Sequence, residues 1–326
     1  MTDRPDPHSV FSLTPEAFET EALRWFRYQA TANPVYRDYI GALHIDPATV
    51  QVLEQIPFLP IRFFKTHRVI SGAAAPRVVF ESSGTTGQVP SRHYIDEPER
   101  YERSFRLGFE RLYGPVSRWC ILGLLPSYLE REHSSLVYMV DRLIRDSGHP
   151  DSGTFLHDLE GLAGLLQRLD ACGQPVFLIG VTFGLLDLAL AYPMRLRHTT
   201  IVETGGMKGR GAEPIRLQVH ERLKEAFGVA AVHAEYGMTE LLSQAWSDGG
   251  GTFRTPAWMR VLVREEEDPL AVTRSGSGAL NIIDLANAGS CCFLATDDSG
   301  RVAADGAFEV TGRLDGSDLR GCSLLI

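Results

Sequence analysis

Val176-Phe177-Leu178-Ile179-Gly180-Val181-Thr182-Phe183-Gly184 opens an apolar run that continues to Pro193. Two readings compete for it. A membrane span needs about 20 apolar residues without charge, and this run is interrupted by Gly180, Gly184 and Asp187. A buried strand over 176–180 that turns into a helix fits the glycines and the aspartate better. This reading predicts no membrane span and an α/β fold.

The neighbouring segments repeat the pattern. Residues 119–125, 199–203 and 229–235 read as strands. Leu136, Met139, Val140, Leu143 and Ile144 share one helical face, and 214–227 reads as a helix closed by Gly228. Strand–helix alternation predicts a sheet covered by helices. Upstream, Thr14 and Pro15 read as the N-cap and first residue of a helix bearing Phe18, Ala22, Trp25, Phe26, Gln29 and Ala30. Residues 78–80 form a short strand. Asp96 with Glu99 reads as a capping box before Phe105, Phe109 and Leu112. After Trp258 the character changes: short strands over 259–263, 279–285, 291–296 and 307–311 are separated by Gly, Asp and Ser. The expected organisation is one domain, with an α/β core over 1–257 and a β-rich end over 258–326.

Composition narrows the function. Of 326 residues, 44% are hydrophobic and 22% charged, as in a well-cored enzyme, and the formal net charge is −9. An acidic chain without a long basic block is poorly suited to nucleic acid. The polar start lacks the basic and apolar regions of a signal peptide. Five cysteines, with no CxxC, argue against a disulfide framework or zinc site and for a reducing cytoplasm.

Three segments carry chemistry. In Ser82-Ser83-Gly84-Thr85-Thr86-Gly87, two glycines permit close backbone approach, and hydroxyls and N–H groups can converge on anionic oxygens. Arg92 and His93 follow. GxxxxGK[ST] is absent. In Tyr236-Gly237-Met238-Thr239-Glu240, at a strand's C-terminal end, tyrosine suits a purine, threonine a phosphate and glutamate a magnesium ion. In Thr296-Asp297-Asp298-Ser299-Gly300 and Gly312-Arg313-Leu314-Asp315, aspartates suit ribose hydroxyls, with Arg313 as a donor. Taken singly, each segment also reads as an ordinary polar turn.

Together and in this order, they resemble the adenylate-forming superfamily of acyl-CoA synthetases, peptide-synthetase adenylation domains and firefly luciferase. SSGTTG resembles its phosphate loop, YGMTE its adenine and magnesium motif, and GRLD its hinge motif. Residues 26–29 with 33–36, 56–61 with 63–65, 82–87 continuing to His93-Tyr94, and 320–325 are similar to the acyl-protein synthetase branch, near phenylacetate–CoA ligase. The resemblance covers nearly the whole chain and implies the superfamily's large N-terminal domain.

The resemblance implies ATP and Mg²⁺ as cofactors, with the phosphates on Ser82, Ser83, Gly84, Thr85, Thr86 and Gly87. Arg92 stands where relatives carry lysine. Gly205, Gly206 and Met207 would line the adenine, and Tyr236 and Gly237 would continue that surface. Thr239 would meet the α-phosphate and Glu240 the metal. Asp298 would bind ribose with Arg313 assisting; Asp297 takes the usual glycine position, which leaves the choice between the two aspartates open. The superfamily's small C-terminal domain carries a catalytic lysine. Only eleven residues follow Asp315, so that domain is expected to be absent; either Lys65 or Lys208 supplies the charge, or adenylation is slow, or a partner completes the site. His133 is expected to orient the carboxylate, with a solvated loop histidine as its other reading, and Gly180, Val181 and Phe183 to line the acyl pocket, the glycines opening space at a strand end. A plain buried turn is the other reading of those three.

The implied reaction is attack of a carboxylate on the α-phosphorus of ATP, release of pyrophosphate, and acyl transfer to a thiol. Cys322 matches the acceptor cysteine of acyl-protein synthetases, though a free cysteine also serves as a small apolar residue. CoA or a carrier protein is the alternative acceptor, and an acyl-thioester reductase a further partner. A non-catalytic nucleotide-binding scaffold is the reading from another class. No G-x-S-x-G or HExxH supports a hydrolase.

Overall fold

The computed structural model describes residues 4–82, 89–126, 132–205 and 216–314. The N-terminal helices are α1 (Phe18–Ala32) and α2 (Pro34–Ala42). Strand β1 (Leu59–Pro60) and short helix α3 (Phe63–Thr66) lead to β2 (Val78–Glu81) and β3 (Arg92–Ile95). Then come α4 (Pro98–Tyr113), β4 (Cys120–Leu124), α5 (Ser135–Ser147), β5 (Gly153–Thr154) and α6 (Leu159–Ala171). The run 176–193 is β6 (Val176–Val181) followed directly by α7 (Thr182–Ala191). β7 (Thr199–Thr204), α8 (Arg216–Phe227), β8 (His233–Tyr236) and β9 (Ala245–Ser247) follow. The β-rich end comprises β10 (Thr252–Phe253), β11 (Met259–Arg264), β12 (Val272–Thr273), β13 (Gly276–Asp284), β14 (Phe293–Val302) and β15 (Phe308–Arg313).

Among the described residues, one sheet has the order β5-β4-β6-β7-β8-β9. Its strands run parallel except β9, which pairs antiparallel with β8. β6 is buried along its whole length, as a central parallel strand covered on both faces must be. The second sheet, β10-β15-β14-β13-β11-β12, is antiparallel, and β1 adds to β14 in parallel. Strands β2 and β3 form a separate antiparallel hairpin. This is the expected mixed α/β fold with a β-rich end. No described helix is long and apolar enough to cross a membrane.

Several boundaries differ from the sequence reading. Helix α1 begins at Phe18 with Ala17 at its N-cap, not at Thr14. Residues 14–17 form a turn whose Pro15 carbonyl accepts from Arg260. Glu97, not Asp96, precedes α4, and no side chain caps it. The two acids of the expected capping box go elsewhere: Asp96, joined by Glu97, takes the fully buried Arg100, and Glu99 takes Arg77. Phe105 and Phe109 are buried, whereas Leu112 is exposed. The strand expected over 229–235 is only β8, and the one expected over 291–296 begins at Phe293 and runs on to Val302.

The N-terminal helices brace the second sheet. Gln29 of α1, fully buried, donates to the carbonyls of Asn287, Ala288 and Ser290 and accepts from the Cys292 N–H. Asn33 caps α2 and also donates to Ser290. These two amides satisfy the backbone of a buried loop that has no strand partner there. That loop carries Asn287.

Candidate functional site

The β2–β3 hairpin presents the first motif. Glu81 pairs with Arg92 in register. At the hairpin mouth, the Ser82 N–H donates to Ser91 and the Ser91 N–H donates to Ser82 Oγ at 2.8 Å. Ser82 therefore closes the hairpin. Ser83, Gly84, Thr85, Thr86 and Gly87 lie outside the described residues, as do Gly206, Met207, Lys208 and Cys322. Arg92 is exposed and bonds Glu81 at 3.0 Å, which holds its pKa above the usual value. The Glu81 N–H donates to the His133 carbonyl (2.8 Å). This bond brings the backbone of His133 to the hairpin, while its side chain is exposed beside Glu132.

His93 points inward from β3 and is fully buried. Its Nδ1 donates to the Thr239 carbonyl at 2.7 Å, and Nε2 lies 2.9 Å from Asn287 Oδ1. Asn287 Nδ2 donates in turn to the Glu240 carbonyl (2.7 Å). The two consecutive carbonyls of the Thr239–Glu240 turn are thus gripped from the hairpin and from the braced loop. Burial pushes the His93 pKa down. Phe64 packs edge-on against His93 at 5.5 Å, and Lys65 follows it at the end of α3. Beyond the turn, Asp284 accepts from the Leu242 N–H (2.8 Å) and the Ser243 hydroxyl (2.6 Å); burial pushes its pKa up to about 6.

Tyr236 ends β8. Its ring lies against Phe308 (5.4 Å) and Phe253 (5.8 Å), and its hydroxyl donates to Asp298 Oδ2 at 2.8 Å. The neighbouring aspartates separate clearly. Asp298 is buried, turned to Tyr236, and 3.5 Å from Arg313 Nε; Asp297 lies 3.8 Å from both Arg62 and Arg313. Alternation along β14 accounts for the divergence. Asp298 and Arg313 are partners in the β14–β15 register. Gly300 marks an irregularity in this pairing, where a β-carbon would run into the Glu309 carbonyl.

At the ends of β6 and β7, Val181 and Phe183 are buried and Gly205 is exposed with φ 79°. Thr182 donates to Glu203 and to the Gly205 carbonyl. The expectation that Gly180 opens space is not met: Leu185 and Leu124 fill the volume beside it. Gly180 lets α7 pack tightly on β6.

Glu240 is buried, and its carboxylate has no hydrogen-bond or ion-pair partner among the described residues. A carboxylate with no protein partner suits a hard divalent cation. No cluster of three or more His, Cys, Asp or Glu side chains placed to hold a metal occurs among the described residues. One carboxylate is nonetheless what Mg²⁺ needs when phosphates and waters supply its other ligands. His93, Asn287 and Asp284 were missed as site residues by the sequence reading. His93 was noted only as following the Ser82–Gly87 segment, and the other two carry no local motif.

No protein-family model and no curated protein matches the chain. Solved structures do. 2-Hydroxyisobutyryl-CoA ligase in the postadenylation state, in complex with 2-HIB-AMP, aligns with TM-score 0.62 at 14% identity, over 97% of this chain and 72% of that one. ATP-bound MatB from Rhodopseudomonas palustris aligns with TM-score 0.55 at 16% identity, over 75% of this chain and 49% of that one. The luciferase-like enzyme of the nonluminescent Zophobas morio mealworm aligns with TM-score 0.50 at 16% identity, over 74% and 59%. The chain thus spans about half the length of MatB. At these identities the likeness shows the fold alone, one shared with 2-hydroxyisobutyryl-CoA ligase and MatB.

Proposed function

We propose that this chain activates a carboxylic acid with ATP, forming an acyl-adenylate and pyrophosphate, and passes the acyl group to a thiol. One observation carries the reading. The three segments singled out in the sequence are tied together by named bonds: His93 of the hairpin to Thr239, Tyr236 to Asp298, and Asp298 to Arg313. Segments about 140 and 60 residues apart in sequence would have no reason to share a buried polar network if each were only a turn. The fold shared with ATP-bound MatB supports the same reading.

In this proposal Asp298, oriented by Tyr236, accepts from the ribose hydroxyls, and Tyr236 and Gly205 flank the adenine. Thr239 meets the α-phosphate. Residues 82–87 would cradle the departing phosphates with Arg92, and Lys65 would add a further cation. His133 would orient the carboxylate. Mg²⁺ held by Glu240 would neutralise charge developing on the leaving pyrophosphate. The chain's own work is positioning: fixed backbone carbonyls keep Thr239 and Glu240 from relaxing as charge moves.

Cys322 is the proposed thiol acceptor. Among the other cysteines, Cys120, Cys291 and Cys292 are buried, and burial pushes their pKa values up, which suppresses the thiolate. Cys172 is exposed. Carboxylate-dependent exchange of labelled pyrophosphate into ATP, over a panel of acids, tests the activation step; no exchange with any acid would leave the scaffold reading. Labelled acid retained by the protein and lost in Cys322→Ser, but kept in Cys172→Ser, supports self-acylation. Label moving straight to added CoA overturns it in favour of ligase action.

A further inference from the structure

Glu235 and Tyr236 are consecutive on β8, so their side chains leave opposite faces of the strand. Tyr236 goes to Asp298, on the side assigned above to the nucleotide. Glu235 goes to the other side. Its Oε2 accepts from the Thr204 hydroxyl at 2.5 Å, across the β7–β8 pair in which the two residues are in register. Its Oε1 occupies the position a β-carbon at Gly237 would need. Only glycine at 237 leaves room for this carboxyl. Glu235 keeps about 9% exposure, and Oε1 accepts from no group among the described residues.

Gln244 lies beside the same point. Gln244 is 5% exposed, and its Cγ lies 3.5 Å from the same vacant β-carbon position. Its Nε2 donates to the Tyr101 hydroxyl (3.5 Å). Tyr101 commits its one proton to the Ser135 carbonyl (3.0 Å), so Gln244 must present its NH₂ to it. That leaves Gln244 Oε1 buried with no partner. The indole N–H of Trp246, across the strand register from Glu235, makes no bond either, and it lies toward Gly108 of α4. Beside Gly237, then, Glu235 bonds only through Oε2, and Gln244 carries a buried acceptor without a donor. Native proteins rarely leave such a buried acceptor unpaired.

We propose that the recess beneath Gly237, walled by Glu235, Thr204 and Gln244, receives a hydrogen-bond donor, a hydroxyl or amino group, carried by the acid this protein activates. The inference rests on the activity proposed above. It assigns the substrate to hydroxy or amino acids rather than plain alkyl or aryl acids. Burial, followed by the charge of Glu203, pushes the Glu235 pKa up to about 7. Such a group accepts from a hydroxyl when ionised and gains further from an ammonium.

The test uses sets of three acids with one carbon skeleton, bearing hydrogen, hydroxyl or amino at each position along the chain. Pyrophosphate exchange gives kcat/KM for each. The expected result is a preference of at least about 100-fold for one donor-bearing acid over its plain parent, since a site built to bond a donor penalises its absence. The favoured member of the set separates hydroxy from amino acids. In Glu235→Leu that ratio falls at least about tenfold, and Glu235→Gln, which preserves volume, gives an intermediate ratio if the leucine variant folds poorly. Equal use of plain and donor-bearing acids by the native protein overturns the proposal, as water then satisfies the recess. So does a uniform loss with all acids in both variants. If no acid supports exchange, the activity proposal fails instead. The recess is then read from thermal shift with the same acids: stabilisation by a donor-bearing acid, absent in Glu235→Leu, supports it, and no shift with any acid overturns it.

Discussion

The Tyr236 hydroxyl donates to Asp298 Oδ2 at 2.8 Å, and this bond joins the end of a parallel strand to the middle of an antiparallel one in the other sheet. It fixes the carboxylate proposed to hold ribose against the ring proposed to meet adenine. Tyr236→Phe keeps the packing on Phe253 and Phe308 and removes only the hydroxyl. The expected loss is about 1.5–3 kcal/mol of stability, as for a bond to a charged group. The KM for ATP should rise roughly tenfold, with a smaller change in kcat. Urea unfolding and exchange kinetics measure both, and an unchanged KM would separate Asp298 from the nucleotide.

His93 and Asn287 act as one device on the carbonyls of Thr239 and Glu240. Either His93→Ala or Asn287→Ala frees one carbonyl inside a buried turn, at a cost of about 1–3 kcal/mol. The two effects should not add. A double-mutant cycle is expected to show coupling of about 1 kcal/mol or more, because the two side chains are in contact, His93 Nε2 lying 2.9 Å from Asn287 Oδ1. In exchange assays kcat should fall more than KM rises. Simple additivity would mean the two side chains support the turn separately.

Much of this fold was legible in the sequence. The run 176–184 carries its own punctuation: a six-residue strand, buried throughout, and Gly180, which admits Leu185 of the following helix. Local signals failed where tertiary partners decide. Asp96 and Glu99 have the spacing of a capping box, yet the buried guanidinium of Arg100 needs Asp96 more than the helix end does. The segments carrying Tyr236 and Asp298 stood out because each motif is contiguous. Asn287 and Asp284 did not, because each acts through backbone groups 40 or more residues away, brought near only by sheet packing. Gly237 was read as part of the adenine surface, and the structure adds a packing reason: the carboxyl of Glu235 fills the missing side-chain position.

Glu240 is the carboxylate proposed to hold magnesium. Glu240→Gln keeps the volume and removes the charge. Exchange should fall by about 100-fold or more, and the Mg²⁺ concentration needed for half-maximal rate should rise. Excess EDTA should abolish exchange in the native protein, with recovery on adding Mg²⁺. Because the carboxylate has no hydrogen-bond or ion-pair partner among the described residues, the variant should be about as stable as the native protein without metal. A variant destabilised without metal, with an unchanged Mg²⁺ requirement, would assign Glu240 to structure.

Two buried carboxyls set the pH dependence of stability. The ordinary values of 4.5 for Glu235 and 3.8 for Asp284 rise on folding to about 7 and about 6, in both cases chiefly through burial. A raised value means that the folded state holds the proton more tightly than the unfolded chain does. Their contribution is therefore complete below about pH 4 and is lost as pH rises to about 7. Each accounts for a decline on the order of 3 kcal/mol over that span. Other groups titrate in the same range, so the readout is a difference: urea unfolding of native protein and Glu235→Gln at pH 5 and pH 8. The variant carries no proton to lose at that position, so its stability relative to the native protein should improve from pH 5 to pH 8. A constant difference would mean that Glu235 is ionised throughout, and that the recess beneath Gly237 is wetter than its burial implies.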